Sequence, residues 1–172
     1  MALIVEDGSG TVIGVNSYVT LDEVKDYATA RGEPFASSDS EIEGFAVKAK
    51  DYLESFRGQF SGKKTSVTQV LQYPRVGSTV DGDAFPSDAI PQELKNAQCQ
   101  LCIDCAEYGD LSPSTDGYAI ASEKVDVIEI EYASGGRLSG NSLPAAPQFP
   151  KAQAWIDPLL DNMGGLITTV RV

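Results

Sequence analysis

Apolar residues recur at steps of three and four in three separate stretches of this chain, and each stretch opens on a helix-starting signal. The longest pattern is Ile42, Phe45, Ala46, Ala49, Tyr52, Leu53 and Phe56, a spacing that gathers side chains on one helix face. Ser38-Asp39-Ser40-Glu41 precedes it as a capping box, in which serine and glutamate satisfy orphan amides reciprocally. This core helix is expected to run to about Arg57 and to stop at Gly58. An earlier helix opens at Thr20-Leu21-Asp22-Glu23, buries Val24, Tyr27 and Ala28, and ends at Gly32. A third starts at Pro91, where a missing amide costs nothing. It carries Leu94, Ala97, Leu101, Cys105 and Tyr108 as its stripe and stops at Gly109.

A different period appears at Glu123–Tyr132. Here Ile128, Ile130 and Tyr132 alternate with Glu129 and Glu131, which predicts a half-buried strand or hairpin. A lone strand would need a partner from the N-terminal arm, the tail Leu166–Val172 or a neighbouring subunit. Residues 58–90 read as loop with a short helical piece at Ser66–Leu71. Pro74 holds Tyr73 extended and makes an elbow, and Asp81-Gly82-Asp83 reads as a turn without the ligands of a calcium loop. Residues 133–150 are Gly/Ser/Pro-rich and read as a flexible linker. A last helix carries Ala152, Trp155, Ile156, Leu159, Leu160 and Met163, with Pro158 interrupting it.

The expected fold class is therefore mainly α. It is a small bundle of three core helices with a short β element and extended N- and C-terminal segments. The expected organisation is an arm at 1–19, a helical domain at 20–132, a linker at 133–150, and a C-terminal helix and tail at 151–172.

Charge changes the functional picture. The chain of 172 residues carries 25 acidic and 13 basic side chains, a formal net charge of -12, which does not favour polyanions by default. The distribution is uneven, however. Residues 48–75 hold Lys48, Lys50, Arg57, Lys63, Lys64 and Arg75 against Asp51 and Glu54. An ordinary solvated face is the plain reading of that stretch. The alternative is single-strand nucleic-acid binding, since Phe56, Phe60 and Tyr73 interleave with the cations. Candidate partner or DNA contacts are Arg57, Lys63, Lys64, Arg75 and Trp155. The single tryptophan either packs on the domain or anchors in a partner's pocket.

Catalysis is not expected. No histidine is present, which removes the commonest general base and metal ligand. Cys99, Cys102 and Cys105 diverge around a helix, lack a fourth ligand, and read as small core residues without metal or cofactor. No apolar run is long enough to span a bilayer, and no leader pattern stands at the N-terminus. The chain thus reads as soluble and intracellular in origin.

The ordered set Asn16-Ser17-Tyr18-Val19-Thr20, Ala30-Arg31-Gly32, Lys50-Asp51-Tyr52-Leu53, Gln72-Tyr73-Pro74-Arg75, Ile90-Pro91, Leu94-Lys95-Asn96-Ala97 and Glu123–Tyr132 resembles a tailed-bacteriophage family. Its members carry a DnaT-like single-stranded-DNA-binding label. The set is also similar to the broader head–tail connector (adaptor) proteins, with their Tyr-Pro elbow and Ile-Pro helix start. The adaptor resemblance implies a virion neck protein, made in the host cytoplasm, that self-associates as a ring on the portal protein. It would contact tail or neck proteins and let genomic DNA pass without specific binding. An acidic channel wall would suit that role. The adaptor is the primary expectation and the single-stranded-DNA-binding protein the alternative.

Overall fold

The computed structural model describes residues 2–111, 122–125, 128–131 and 149–161. Its main unit is helical: α1 spans Leu21–Ala30, α2 Asp39–Glu54, α3 Gln92–Tyr108 and α4 Pro150–Ile156. Both predicted capping boxes are present. Thr20 Oγ1 accepts from the Glu23 amide at 3.1 Å while Glu23 returns a carboxylate to the Thr20 amide at 2.7 Å. At α2 the Glu41 carboxylate accepts from the Ser38 amide at 2.8 Å and from its hydroxyl at 2.7 Å, while the Glu41 amide donates to the Ser38 carbonyl at 3.0 Å.

α3 occupies the middle, in contact with α1, α2 and α4. That position explains why its burial exceeds a single stripe: every residue from Ala97 to Cys105 is buried, including Gln98, Gln100 and Asp104. A buried amide is tolerated when its hydrogen bonds are made, and Gln98 makes them. It accepts from the Tyr18 amide at 2.9 Å and donates to Ser17 Oγ at 2.9 Å and to the Ala46 carbonyl at 2.8 Å. Tyr108, expected in the buried stripe, is instead 65% exposed at the end of α3. α4 buries Ala152 and Ile156, and Leu159 in the 3₁₀ turn that follows. Among the described residues α4 thus adds to the core that α1, α2 and α3 build.

The chain before α1 contributes to that core through Val15, Tyr18 and Val19. Tyr18 lies at a junction. Its hydroxyl donates to Glu54 Oε1 at 2.6 Å and accepts from the Gln72 and Tyr73 amides at 3.0 and 3.2 Å. Burial, and then the Glu54 carboxylate, push its pKa well above the usual tyrosine value, so it stays a neutral donor.

Between α2 and α3 the expected loop contains two short antiparallel pairs. β1 (Lys63–Lys64) pairs with β2 (Arg75–Val76), and β3 (Thr79–Val80) with β4 (Asp83–Ala84). Asp81 and Gly82 form the tight turn of the second pair, both at positive φ (53° and 89°), the backbone that right-twisted strands require of a two-residue hairpin. The segment Ser66–Leu71 is turn, not helix, because Gln69 takes its hydrogen bonds out of any helical ladder. Its amide side chain donates to the Leu71 and Pro74 carbonyls at 2.9 and 3.0 Å and accepts from Thr65 Oγ1 at 2.6 Å. The Tyr73–Pro74 peptide is cis.

Residues 112–148 form a second unit. In it β5 (Ser122–Val125) pairs antiparallel with β6 (Ile128–Glu131), from Ser122↔Glu131 to Val125↔Ile128. The run expected as a strand or hairpin is a hairpin, and its two halves are each other's partner. Of the linker expected at 133–150, residues 133–148 lie outside the described residues and Pro150 opens α4, and residues 162–172 of the expected C-terminal helix and tail also lie outside them.

Candidate nucleic-acid interface

Most cations of the described residues are already engaged. Lys25 pairs with Asp39 at 2.5 Å, Lys95 with Glu23 at 3.0 Å, Lys151 with Glu33 at 3.2 Å, and Lys50 with Asp51. Lys48 donates to the Gly109 carbonyl at 3.1 Å. Arg31 lies 3.3 Å over the Tyr27 ring and donates to the Tyr27 carbonyl. Arg57 and Lys63 differ from all of these. Both are exposed, and neither makes an ion pair or side-chain hydrogen bond among the described residues. An incoming anion competes with no protein carboxylate at either side chain.

Lys64 is intermediate. It is half-buried, and its ammonium donates to the Gln69 and Val70 carbonyls at 3.0 and 3.2 Å, which ties down the 65–70 turn and leaves one donor unused. Arg75 is removed from the contact set altogether. It is 5% exposed. Nε donates to the Ser61 carbonyl at 2.7 Å, Nη2 to the Phe60 and Gly62 carbonyls at 3.2 and 2.6 Å, and Nη1 to Gln72 Oε1 at 3.0 Å. The planar fork thus clamps residues 60–62 against the elbow. Gly62 permits the close approach: a Cβ there would meet the Val76 carbonyl oxygen at 2.5 Å, and φ is +70°.

The aromatic half of the expected interface is mostly core. Phe60 and Tyr73 are buried and meet edge to face at 5.4 Å between centroids, whereas Phe56 stays half-buried. Trp155 is also half-buried and packs against the core. Packing on the domain is therefore its observed role. Sequence reasoning missed Val67, Val70 and Val76, which are exposed around β1 and β2. Val76 lies directly across from Lys63. Exposed valines carry no periodic signal, so nothing in the pattern marks them.

A cavity of about 1030 Å³ is lined by Gly58 and Gln59 together with Asp81, Asp157 and Asp161, carboxylates that repel phosphate. The three thiols offer no alternative chemistry. All are buried, and burial pushes Cys99 up to about 12 and Cys102 well above its usual value, so neither is a nucleophile near neutral pH. Among the described residues no group of His, Cys, Asp or Glu is placed to hold a metal ion, and no helix is long and apolar enough to cross a membrane.

Over residues 1–172 the chain matches the family described as Putative DnaT-like ssDNA binding protein. No curated protein and no solved structure matches it. The family match overturns the primary expectation of a head–tail adaptor. The expected portal, tail and neck partners, the ring, and DNA that passes unbound fall with it. The charge argument behind that expectation failed for a physical reason. A net charge of -12 describes the far field, whereas strand binding depends on which cations are free at close range.

Proposed function

Because this chain belongs to the DnaT-like ssDNA binding protein family, we propose that it binds single-stranded DNA, with Arg57 and Lys63 as the primary phosphate contacts. The single observation that carries the reading is that these two cations are exposed and unpartnered within the chain's most basic stretch. α1, α2 and α3 serve as the core scaffold that displays them. Arg57 follows the end of α2, and Lys63 is held in β1 by pairing with β2. Lys64 adds partial charge, and the exposed Val67, Val70 and Val76 offer apolar surface to sugars and bases. The reading assigns no catalytic step to any side chain.

Few free cations mean modest affinity with a shallow salt dependence. Each phosphate contact on a single strand contributes about 0.7 to the slope of log K against log salt. Anisotropy of a labelled oligodeoxythymidine, titrated at low and moderate salt, tests the proposal. The wild-type chain is expected to bind at low salt, and R57Q/K63Q is expected to lower that slope by about 1.4. Absence of binding at low salt overturns the reading.

A further inference from the structure

Six aromatic rings follow one another without a gap across the main unit. Tyr108 stands 6.3 Å from Phe149, Phe149 5.5 Å from Tyr52, and Tyr52 5.6 Å from Phe56. Phe56 is then 6.5 Å from Phe60, which meets Tyr73 at 5.4 Å. Burial varies along the row, with buried Phe149 between Tyr108 and Tyr52. Phe60 and Tyr73 are core, Phe149 is 7% exposed, Tyr52 and Phe56 are half-buried, and Tyr108 is 65% exposed. A ring left two-thirds exposed, at the end of a helix buried all round from Ala97 to Cys105, adds little to the core. It is open to a ligand.

The charges beside the row fit a polyanion. Lys48 and Tyr52 share a face of α2, four residues apart, and Phe56 and Arg57 follow in the turn after it. Lys48 is exposed next to Gly109, and Lys151, 66% exposed, follows Phe149 and Pro150. Cations therefore stand at both ends of the exposed rings. The neighbouring acids are largely occupied: Asp51 by Lys50, Glu54 by Tyr18, Glu33 by Lys151, and Asp104 by Gln100. The Glu107 carboxylate holds the Tyr108 pKa above the ordinary tyrosine value.

We propose that Tyr108, Tyr52 and Phe56 form a base-stacking platform, along which unpaired bases lie on the rings while Arg57 and Lys48 hold the phosphates. The inference rests on the single-stranded-DNA reading and adds a substrate requirement to it. Stacking needs an exposed base face, so the platform takes unpaired strands and rejects duplex, whose faces are already covered. Stacking is also tolerant of sequence, since every base has a π-face.

The test uses the full chain with labelled oligodeoxythymidine and the corresponding duplex. Tyr108→Ala is expected to weaken single-strand binding about tenfold, with an unchanged salt slope and an unchanged melting temperature. Tyr108→Phe is expected to bind as the wild type does, and the duplex more weakly than the strand. Photo-crosslinking to a 5-iodouracil strand is expected to label the peptides carrying Tyr108, Tyr52 or Phe56. If Tyr108→Ala binds normally, or crosslinks fall only elsewhere, the platform is overturned. In that case R57Q/K63Q still reports on the binding reading itself. A wild-type chain that binds no strand overturns both.

Discussion

Arg57 and Arg75 bracket the same stretch of chain, and the fold treats them oppositely. Arg75 spends its guanidinium on three main-chain carbonyls and one side-chain amide. Arg57 touches none and faces solvent. The difference lies in the acceptors around each site. Residues 60–62 turn their carbonyls toward Arg75 beside β2, and a planar donor fork is the side chain that satisfies all three. Past the end of α2 the chain offers Arg57 no such concentration of acceptors. Charge available for a ligand is what remains after the fold has used its share.

Replacing Arg75 with alanine is the strongest way to break this contrast. It strands the Phe60, Ser61 and Gly62 carbonyls together with Gln72 Oε1, and is expected to cost about 3–5 kcal/mol. The loss should appear as a lower urea midpoint. Arg75→Lys should recover only part of it, because one ammonium lacks the fork. A midpoint equal to that of the wild type would show that Arg75 is no clamp. Lys64→Ala sharpens the same point at smaller size. Two carbonyl contacts on a half-buried ammonium predict a loss of about 1 kcal/mol, with a salt-slope change for strand binding of at most about 0.7.

The helices were legible in the sequence because capping boxes and apolar steps of three and four are local facts. α1, α2 and α3 appear close to where Thr20, Ser38 and Pro91 announce them. α2 stops earlier than the pattern suggests, at Glu54, since Ser55 to Gln59 leave the ladder in tight turns. The 58–90 region was not legible. Its two-residue strands are held by long-range partners, such as Arg75 on Phe60 and Ser61 Oγ with the Thr79 amide at 2.9 Å, and these have no short-range signature. The candidate site was half legible. The clustering of cations at 57–75 is visible in the string, but which of them the fold consumes depends on carbonyl directions that only tertiary structure sets. Tyr108 shows the same limit from the other side. Its place in an apolar stripe suggests burial, yet it lies one turn beyond the end of the packed part of α3.

The smallest expected effect on stability tests the free end of the comparison. R57Q/K63Q removes two charges that make no contact within the described residues, so unfolding free energy should stay within about 0.5 kcal/mol of the wild type. The direction of the residual change can be argued from the field. The variant makes an acidic chain more acidic, which adds a little self-repulsion at low ionic strength. At about 0.15 M salt the screening length is about 8 Å, and even this should fade. Urea midpoints at both salt concentrations should therefore converge on the wild-type value as salt rises, while oligonucleotide affinity at low salt still falls. A loss of more than about 1 kcal/mol would mean that these side chains belong to the fold after all. Arg57 would then stand with Arg75, and the reduced affinity could no longer be assigned to missing phosphate contacts.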